Sequence, residues 1–461
     1  MISCSQQIGR YAFGAVVAVT LLGTANGVSN AQSLEEALVQ TYLENPTLAA
    51  ERASLRATDE GVPQALSNWR PTVQITSSYG RRKTDSELAS GVSNDILTHP
   101  RDLTLSVTQP VFRGFRTVAE ASQARNQVAA GRAALIASEQ RVLLDAITSY
   151  ADVVRTEAIV RLRESNVRVL QRQLEATNDR FRVGELTRTD VAQAESRLAQ
   201  ARGELVSAQG NLESARSGYR QIVGSPPGTL LQPATPSELP ASEEAAKQIA
   251  TTNNPSVIQA EFVERASRDT IELVFGQLLP QVSVTGSAAR DRDVAGSNVD
   301  RTVVSLLANV TVPLYQAGDV SSQIREAKQT ASQRMSLLSE ARREAERTAT
   351  AAWTGFTTAQ ASIAALEAEV RAQEVAYDGV QQEANVGSRT VLDVLDAEQE
   401  LLNARVNLVG ARRSELVSAY ELLAAVGRLT AQDLRLPVEY YDPTKNFDAV
   451  EDKLYGSDIS R

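Results

Sequence analysis

The sequence carries the same short motif twice, each time inside a very long helical pattern, and the two copies are 203 residues apart. The second copy is VGSRTVLDVLD at 386–396, and the first, weaker copy is VGELTRTDV at 183–191. Gly184 and Gly387 are separated by this offset, and so are Asp190 and Asp393. A constant offset of this size indicates a tandem duplication. The fold must therefore contain each structural unit twice.

The spacing of proline and glycine predicts two very long helices. Between 115 and 182 the chain has no proline and one glycine, Gly131, which predicts a rod about 100 Å long at 1.5 Å per residue. The second repeat predicts a matching helix at 319–385. Each long helix ends at the motif glycine and is followed by a return helix, at 188–223 and 391–426. The sequence therefore predicts two long helical hairpins.

Each repeat also contains a segment in which apolar and polar residues alternate, as they do in strands. These segments predict β-hairpins at 72–112 and 282–312, and the polar stretch 80–101 is predicted to be a loop. A helix at 47–68 precedes the first hairpin. This short helix and the return helix are together about as long as the long helix, so we expect them to flank it end to end.

These patterns divide the chain into five parts. An apolar run followed by small residues predicts a secretory signal peptide cleaved after Ala31. A Pro-rich linker separates the two repeats, and the acidic C-terminus is predicted to be loosely ordered. The predicted boundaries are 1–31 for the signal peptide, 32–224 for the first repeat, 225–240 for the linker, 241–429 for the second repeat and 430–461 for the tail.

Composition excludes several classes of function. The chain has one His and one Cys, too few to build a zinc, haem or thiol site, so we expect no metal and no cofactor. The net charge of -9 disfavours nucleic acid as a partner. Together with the helical and strand patterns and the signal peptide, the sequence predicts an exported protein whose fold class is mainly α with a small β part.

The four predicted strands are open to two interpretations. They suit an ordinary antiparallel sheet in a soluble protein, or part of a β-barrel that needs further copies to close, since only closed barrels of strands span a bilayer. Three copies would give twelve strands. In the second interpretation the alternate residues of the last strand would face lipid, namely Val304, Leu306, Ala308, Val310 and Val312.

The chain resembles the TolC family of outer-membrane factors in two features. The first is the order of its elements, which is a helix, a strand pair, a long helix and a return helix, present twice. The second is the tip motif at 386–396. The resemblance covers nearly all of the chain after residue 31. It implies a homotrimer with a 12-stranded outer-membrane β-barrel continuous with a periplasmic α-barrel. It also implies a periplasmic adaptor (membrane fusion protein) and an inner-membrane transporter, a proton-driven pump or an ABC exporter, as partners, with outer-membrane lipid around the barrel. The cargo would be drugs, small molecules or secreted proteins.

The residues of the helix tips have two interpretations each. Thr187 with Asp190 and Thr390 with Asp393 have capping-box spacing, which explains these aspartates as helix starts. Asp396 lies beyond the first turn and shares a helix face with Asp393. In a trimer that face could present two rings of carboxylates to the pore; as an isolated residue, Asp396 would be a solvated surface charge.

The resemblance assigns roles to these positions. Asp393 and Asp396 match the selectivity carboxylates of the family, and Arg389 matches an arginine that tethers neighbouring coils to the first tip, at Thr189 and Asp190. Gly184 and Gly387, with Thr187 and Thr390, form turns that also touch the adaptor in the family. The chain departs from the pattern at Ala384, where the family's best-known member has a Tyr, so one of two closing links is absent or replaced.

Two other functions compete with an export channel. A periplasmic coiled-coil adaptor or scaffold that never enters the membrane would also use long paired helices. A hydrolase could use Asp393 and Asp396 as an acid/base pair, although the predicted fold offers it no pocket.

Overall fold

The computed structural model describes residues 32–87, 93–236, 238–294 and 298–459. The predicted signal peptide lies outside these residues. The described helices are dominated by two of 67 residues each, and the prediction of a mainly α fold is confirmed. The helices are α1 (Leu34–Glu44), α2 (Pro46–Asp59), α3 (Gly61–Ser67), α4 (Arg116–Arg182), α5 (Arg188–Val223), α6 (Glu243–Asn253), α7 (Pro255–Phe275), α8 (Asp319–Asn385), α9 (Val391–Ala425) and α10 (Lys445–Val450).

Four strands form one antiparallel sheet in the order β1-β4-β5-β6. The pairing of β4 with β5 joins the first repeat to the second. A separate two-stranded sheet pairs β2 with β3. The strands are β1 (Thr72–Tyr79), β2 (Arg82–Glu87), β3 (Ser93–Thr98), β4 (Arg101–Arg113), β5 (Gln281–Arg292) and β6 (Asp300–Thr311).

The prediction of a loop at 80–101 is wrong, because this segment contains β2 and β3. β2 is polar and β3 is polar apart from Ile96 and Leu97, and their pairing is held by backbone hydrogen bonds together with an ion pair between Lys83 and Asp95 (3.1 Å). Ile96 and Leu97 are adjacent in β3 and β2 has no apolar residue, so this hairpin lacks the alternation of apolar and polar residues that marks the main sheet. The predicted single helix at 47–68 is also wrong in detail, since the chain breaks it at Glu60, just before Gly61 and Pro63.

The two faces of the four-stranded sheet differ in chemistry. One row across the strands is Ile75, Leu105, Ala288 and Val304, and the neighbouring row is Gln74, Ser106, Ser287 and Ser305. The hydroxyls of Ser287 and Ser305 are 2.8 Å apart on the polar face. On the apolar face, Ile75 and Val304 are 69% and 78% exposed. The chain therefore presents an apolar sheet surface that its described residues leave uncovered.

The short and return helices meet end to end at equivalent asparagines of the two repeats. Asn45 accepts a hydrogen bond from the N–H of Thr47 and so caps α2, while its amide donates to the carbonyl of Ile222 at the end of α5 (2.9 Å). Asn254 caps α7 and donates to the carbonyl of Ala425 at the end of α9 (3.1 Å). This is the end-to-end arrangement expected from the helix lengths.

The C-terminal segment is not the loosely ordered tail that its acidic composition predicts. Ala431 and Leu436 are buried in the main core, which also contains Tyr150 and Tyr219. Further along, the backbone N–H of Tyr441 donates to the hydroxyl of Tyr42 (2.9 Å). Apolar residues spaced along 431–438 pack this segment against the helices despite its charge.

No helix in the described ranges is long and apolar enough to cross a membrane.

Candidate functional site: the helix tips

Both helical hairpins turn through the same hydrogen-bonded loop. Gly184 and Gly387 have φ of 83° and 81°, a conformation that glycine adopts without the strain a Cβ would cause. In the first tip, Gly184 donates to the carbonyl of Phe181 (3.0 Å), and Gly387 donates equivalently to that of Ala384 (3.2 Å). These bonds satisfy the last carbonyls of the long helices, as in a Schellman motif.

The return helices begin with reciprocal caps. The N–H of Thr187 donates to the carboxylate of Asp190 (2.8 Å), and the N–H of Asp190 donates to the hydroxyl of Thr187 (3.3 Å). Thr390 and Asp393 repeat the pattern at 2.9 and 3.2 Å. Hydrogen bonds from the threonine hydroxyl and backbone lower the pKa of Asp190, and those from the backbone and hydroxyl of Thr390 lower that of Asp393. Both carboxylates are therefore charged at neutral pH.

Each tip has an ion pair across its turn, with the order of charges reversed between the repeats. Arg180 bonds to Glu185 in the first tip (3.0 Å), whereas Glu383 accepts from the Nε of Arg389 in the second (2.9 Å). Glu383 stands at the position equivalent to Arg180. The structure thus pairs Arg389 with Glu383 of its own hairpin, and among the described residues of this single chain it does not bring Arg389 into a bond with Thr189 or Asp190.

Asp396 makes a contact that the sequence did not indicate. Its carboxylate accepts a hydrogen bond of 2.5 Å from the guanidinium of Arg197, which lies on α5 in the other hairpin. Asp393 and Asp396 are therefore not two equivalent free carboxylates in this chain, because Asp393 caps a helix and Asp396 is ion-paired. Arg197 lies outside the repeated motif, and only the packing of the two hairpins reveals its partner.

The contact between the tips is otherwise apolar. Val391 and Leu395 of the second hairpin pack against Leu198 and neighbouring residues of the first. At the ends of the turns, Val183 and Val386 are 72% and 79% exposed. They occupy equivalent positions in the two repeats, so the chain presents a matched pair of apolar side chains at the helix tips.

A polar cavity of about 330 Å³ lies between the hairpins, further from the tips. Its walls include Asn166, which is 3% exposed and whose amide has no hydrogen-bond partner in the described ranges. Burial raises the pKa of Glu398, and hydrogen bonding by Tyr377 opposes that shift. Burial and the charge of Glu398 raise the pKa of Tyr377 to about 12. Ala384 is the position at which the family's best-known member has a Tyr, and it is buried in this chain. Tyr377 lies seven residues before it, two helical turns away on the same face of α8.

No group of three or more His, Cys, Asp or Glu side chains in the described ranges is arranged to hold a metal ion.

Comparison with known proteins agrees with this architecture. The family described as Outer membrane efflux protein matches residues 37–225 and 247–428, that is, both repeats. The chain is 35% identical over 444 residues to the outer membrane efflux protein BepC of Brucella suis biovar 1 (strain 1330), with 95% of each chain covered. It is 26% identical over 438 residues to the outer membrane protein TolC of Escherichia coli (strain K12), covering 91% of this chain and 87% of that one.

The fold is similar to that of the Campylobacter jejuni CmeC outer membrane channel, with a TM-score of 0.78 at 14% identity, covering 91% of this chain and 89% of that one. The family match and the curated relatives, which agree with the duplicated helical hairpins on a four-stranded sheet, define the class as an export channel of the outer membrane. The chain belongs to the outer membrane efflux protein family. The resemblance to the TolC family is confirmed.

Proposed function

We propose that this chain works as a homotrimer, whose three sheets close into a 12-stranded barrel and whose helices form a periplasmic conduit gated at the tips. The uncovered apolar face of the sheet carries this proposal. In a lipid environment such a sheet cannot keep open edges, because unpaired backbone groups are costly there. The four described strands of one sheet are too few for a barrel, and three copies supply twelve.

The tips are the docking site for a periplasmic adaptor. Val183 and Val386 offer exposed apolar side chains at the end of each turn, beside Gly184 and Gly387. The adaptor would in turn connect the channel to an inner-membrane transporter, a proton-driven pump or an ABC exporter. The transporter would select the cargo, whether drugs, small molecules or secreted proteins.

The gate consists of Arg389, Asp393, Asp396, Thr189 and Asp190. Arg389 uses its Nε for Glu383, and an arginine has further N–H donors in a fixed fork. In the trimer these donors reach the first tip of a neighbouring protomer, at Thr189 or Asp190. Asp393 and Asp396 supply negative charge to the pore and favour cations. We assign no catalytic role to this pair, since one carboxylate caps a helix and the other is ion-paired.

Neighbouring residues of β6 provide the test, because they lie on opposite faces of the sheet. Leu306→Asp places a charge on the apolar face, where it destabilises the barrel if that face meets lipid. Ser305→Asp places the same charge on the polar face and serves as the control. We expect Leu306→Asp to be depleted from the outer-membrane fraction and to lose its trimer band, while Ser305→Asp retains both.

A periplasmic scaffold would behave differently. Its exposed Leu306 would tolerate Asp, and the wild-type protein would be recovered in the soluble periplasmic fraction. Either result would contradict the proposed channel.

A further inference from the structure

The bond between Arg197 and Asp396 joins the two helical hairpins of one protomer. Arg197 lies on α5, and Asp396 lies on α9. The other tip bonds described above stay within one hairpin, namely the two caps and the two ion pairs across the turns. Among ion pairs of the described residues, one more links the hairpins, between Asp152 on α4 and Arg413 on α9 (3.0 Å). Arg413 lies 17 residues beyond Asp396, about 25 Å along the helix, so the bond at Asp396 is the one near the tips.

The surroundings of this bond favour a switch between two states. Leu395 and Leu198, which neighbour the bonded residues in sequence, belong to the apolar cluster between the hairpins. The charged pair lies at the rim of that cluster, with the side chains of Arg197 and Asp396 31% and 53% exposed. If the second hairpin moves away from the first, the bond breaks and water can solvate both charges. A partly exposed ion pair of this kind is weak enough to open reversibly.

We propose that Arg197 is a latch residue that holds the second hairpin against the first and neutralises Asp396 while the tips are closed. This inference rests on the proposed gate at the tips. Opening then has two linked effects. The hairpins separate, and each protomer releases one carboxylate at Asp396, so that the pore becomes more attractive to cations as it opens.

Conductance of purified full-length trimers in planar bilayers tests the latch. We expect Arg197→Ala to raise open probability roughly fivefold, since each of three protomers loses one weak bond, and to increase cation over anion permeability. Asp396→Ala should raise open probability without this increase in cation preference. Arg202→Ala is the matched control, because it removes the same charge from an exposed position further along α5.

The reversed pair provides the decisive variant. Arg197→Asp combined with Asp396→Arg should restore the open probability of the wild type, whereas each single reversal should raise it. The latch is refuted if Arg197→Ala behaves like Arg202→Ala, or if the reversed pair opens as readily as the single reversals. If wild-type trimers conduct and Arg389→Ala opens them while Arg197→Ala does not, the latch fails and the proposed gate stands. If the wild type forms no channel, both fail.

Discussion

Gly114 and Gly276 bring the backbones of the two repeats into direct contact, where the first repeat leaves its strands and the second approaches them. A Cβ on Gly276 would lie 2.4 Å from the carbonyl oxygen of Gly114, and a Cβ on Gly114 would lie 2.3 Å from that of Gly276. Neither residue can carry a side chain without backbone movement. The junction of helices and sheet therefore depends on two glycines that come from different repeats.

Gly276→Ala should lower stability by about 1–3 kcal/mol, the usual cost of forcing an extra methyl into a packed site. Thermal unfolding of detergent-solubilised protein measures this effect. Gly203→Ala is the control, since a Cβ there meets nothing within 4 Å and alanine favours a helix over glycine. An unchanged unfolding temperature for Gly276→Ala would show that the close approach does not exist.

Asn254→Ala should destabilise the protein by about 0.5–2 kcal/mol through loss of the cap on α7, with a further cost from the unpaired carbonyl of Ala425. Asn45→Ala should have a similar effect at the equivalent joint. Asn403→Ala, at an exposed position within α9, serves as control. If all three variants had the same unfolding temperature, Asn254 and Asn45 would not stabilise the contact between the helix ends.

Glu398→Gln should make stability less dependent on pH. Burial holds the pKa of Glu398 above its ordinary value of 4.5, so the folded chain binds more protons than the unfolded chain between the two pKa values. Stability therefore falls as the pH rises through that window. Below it, where Glu398 is protonated, the free-energy cost of burying a charged carboxylate is absent. The variant should unfold at a higher temperature than the wild type at pH 7 and at the same temperature near pH 4. A difference that does not change with pH would contradict this account.

Asp393→Ala combined with Asp396→Ala should weaken both cation preference and block by multivalent cations in planar bilayers, because these carboxylates supply negative charge to the pore. Glu400→Ala removes a charge from an exposed position on the same helix and serves as control. Equal permeability ratios in the double variant and the wild type would exclude a carboxylate ring.

Periodicity and duplication predicted most of the architecture. The 203-residue offset and the absence of proline located both long helices, and alternation located the strands of the main sheet. These features repeat over many residues, so local exceptions do not obscure them. The hairpin of β2 and β3 escapes this pattern because its two apolar residues, Ile96 and Leu97, are adjacent and do not alternate with polar ones. The charge of the C-terminal segment obscures its buried residues Ala431 and Leu436.

The candidate site was predictable only in part. The caps at Thr187 and Thr390 follow from local spacing, because both partners lie within one helical turn. The pairing of Arg197 with Asp396, and the cavity at Glu398, depend on how two hairpins pack together. Arg197 and Asp396 lie 199 residues apart and are not at equivalent positions of the two repeats. Their pairing therefore leaves no pattern in a single sequence.

Single-channel conductance of Arg389→Ala trimers tests the central claim that the helix tips gate an export channel. We expect conductance several-fold above the wild type, since the variant loses the tether to the neighbouring tip. Arg188→Ala is the control, because Arg188 is an exposed arginine of the first tip outside the proposed tether. A severalfold rise confined to Arg389→Ala is the predicted result, and conductance equal to that of the wild type would contradict gating at the tips.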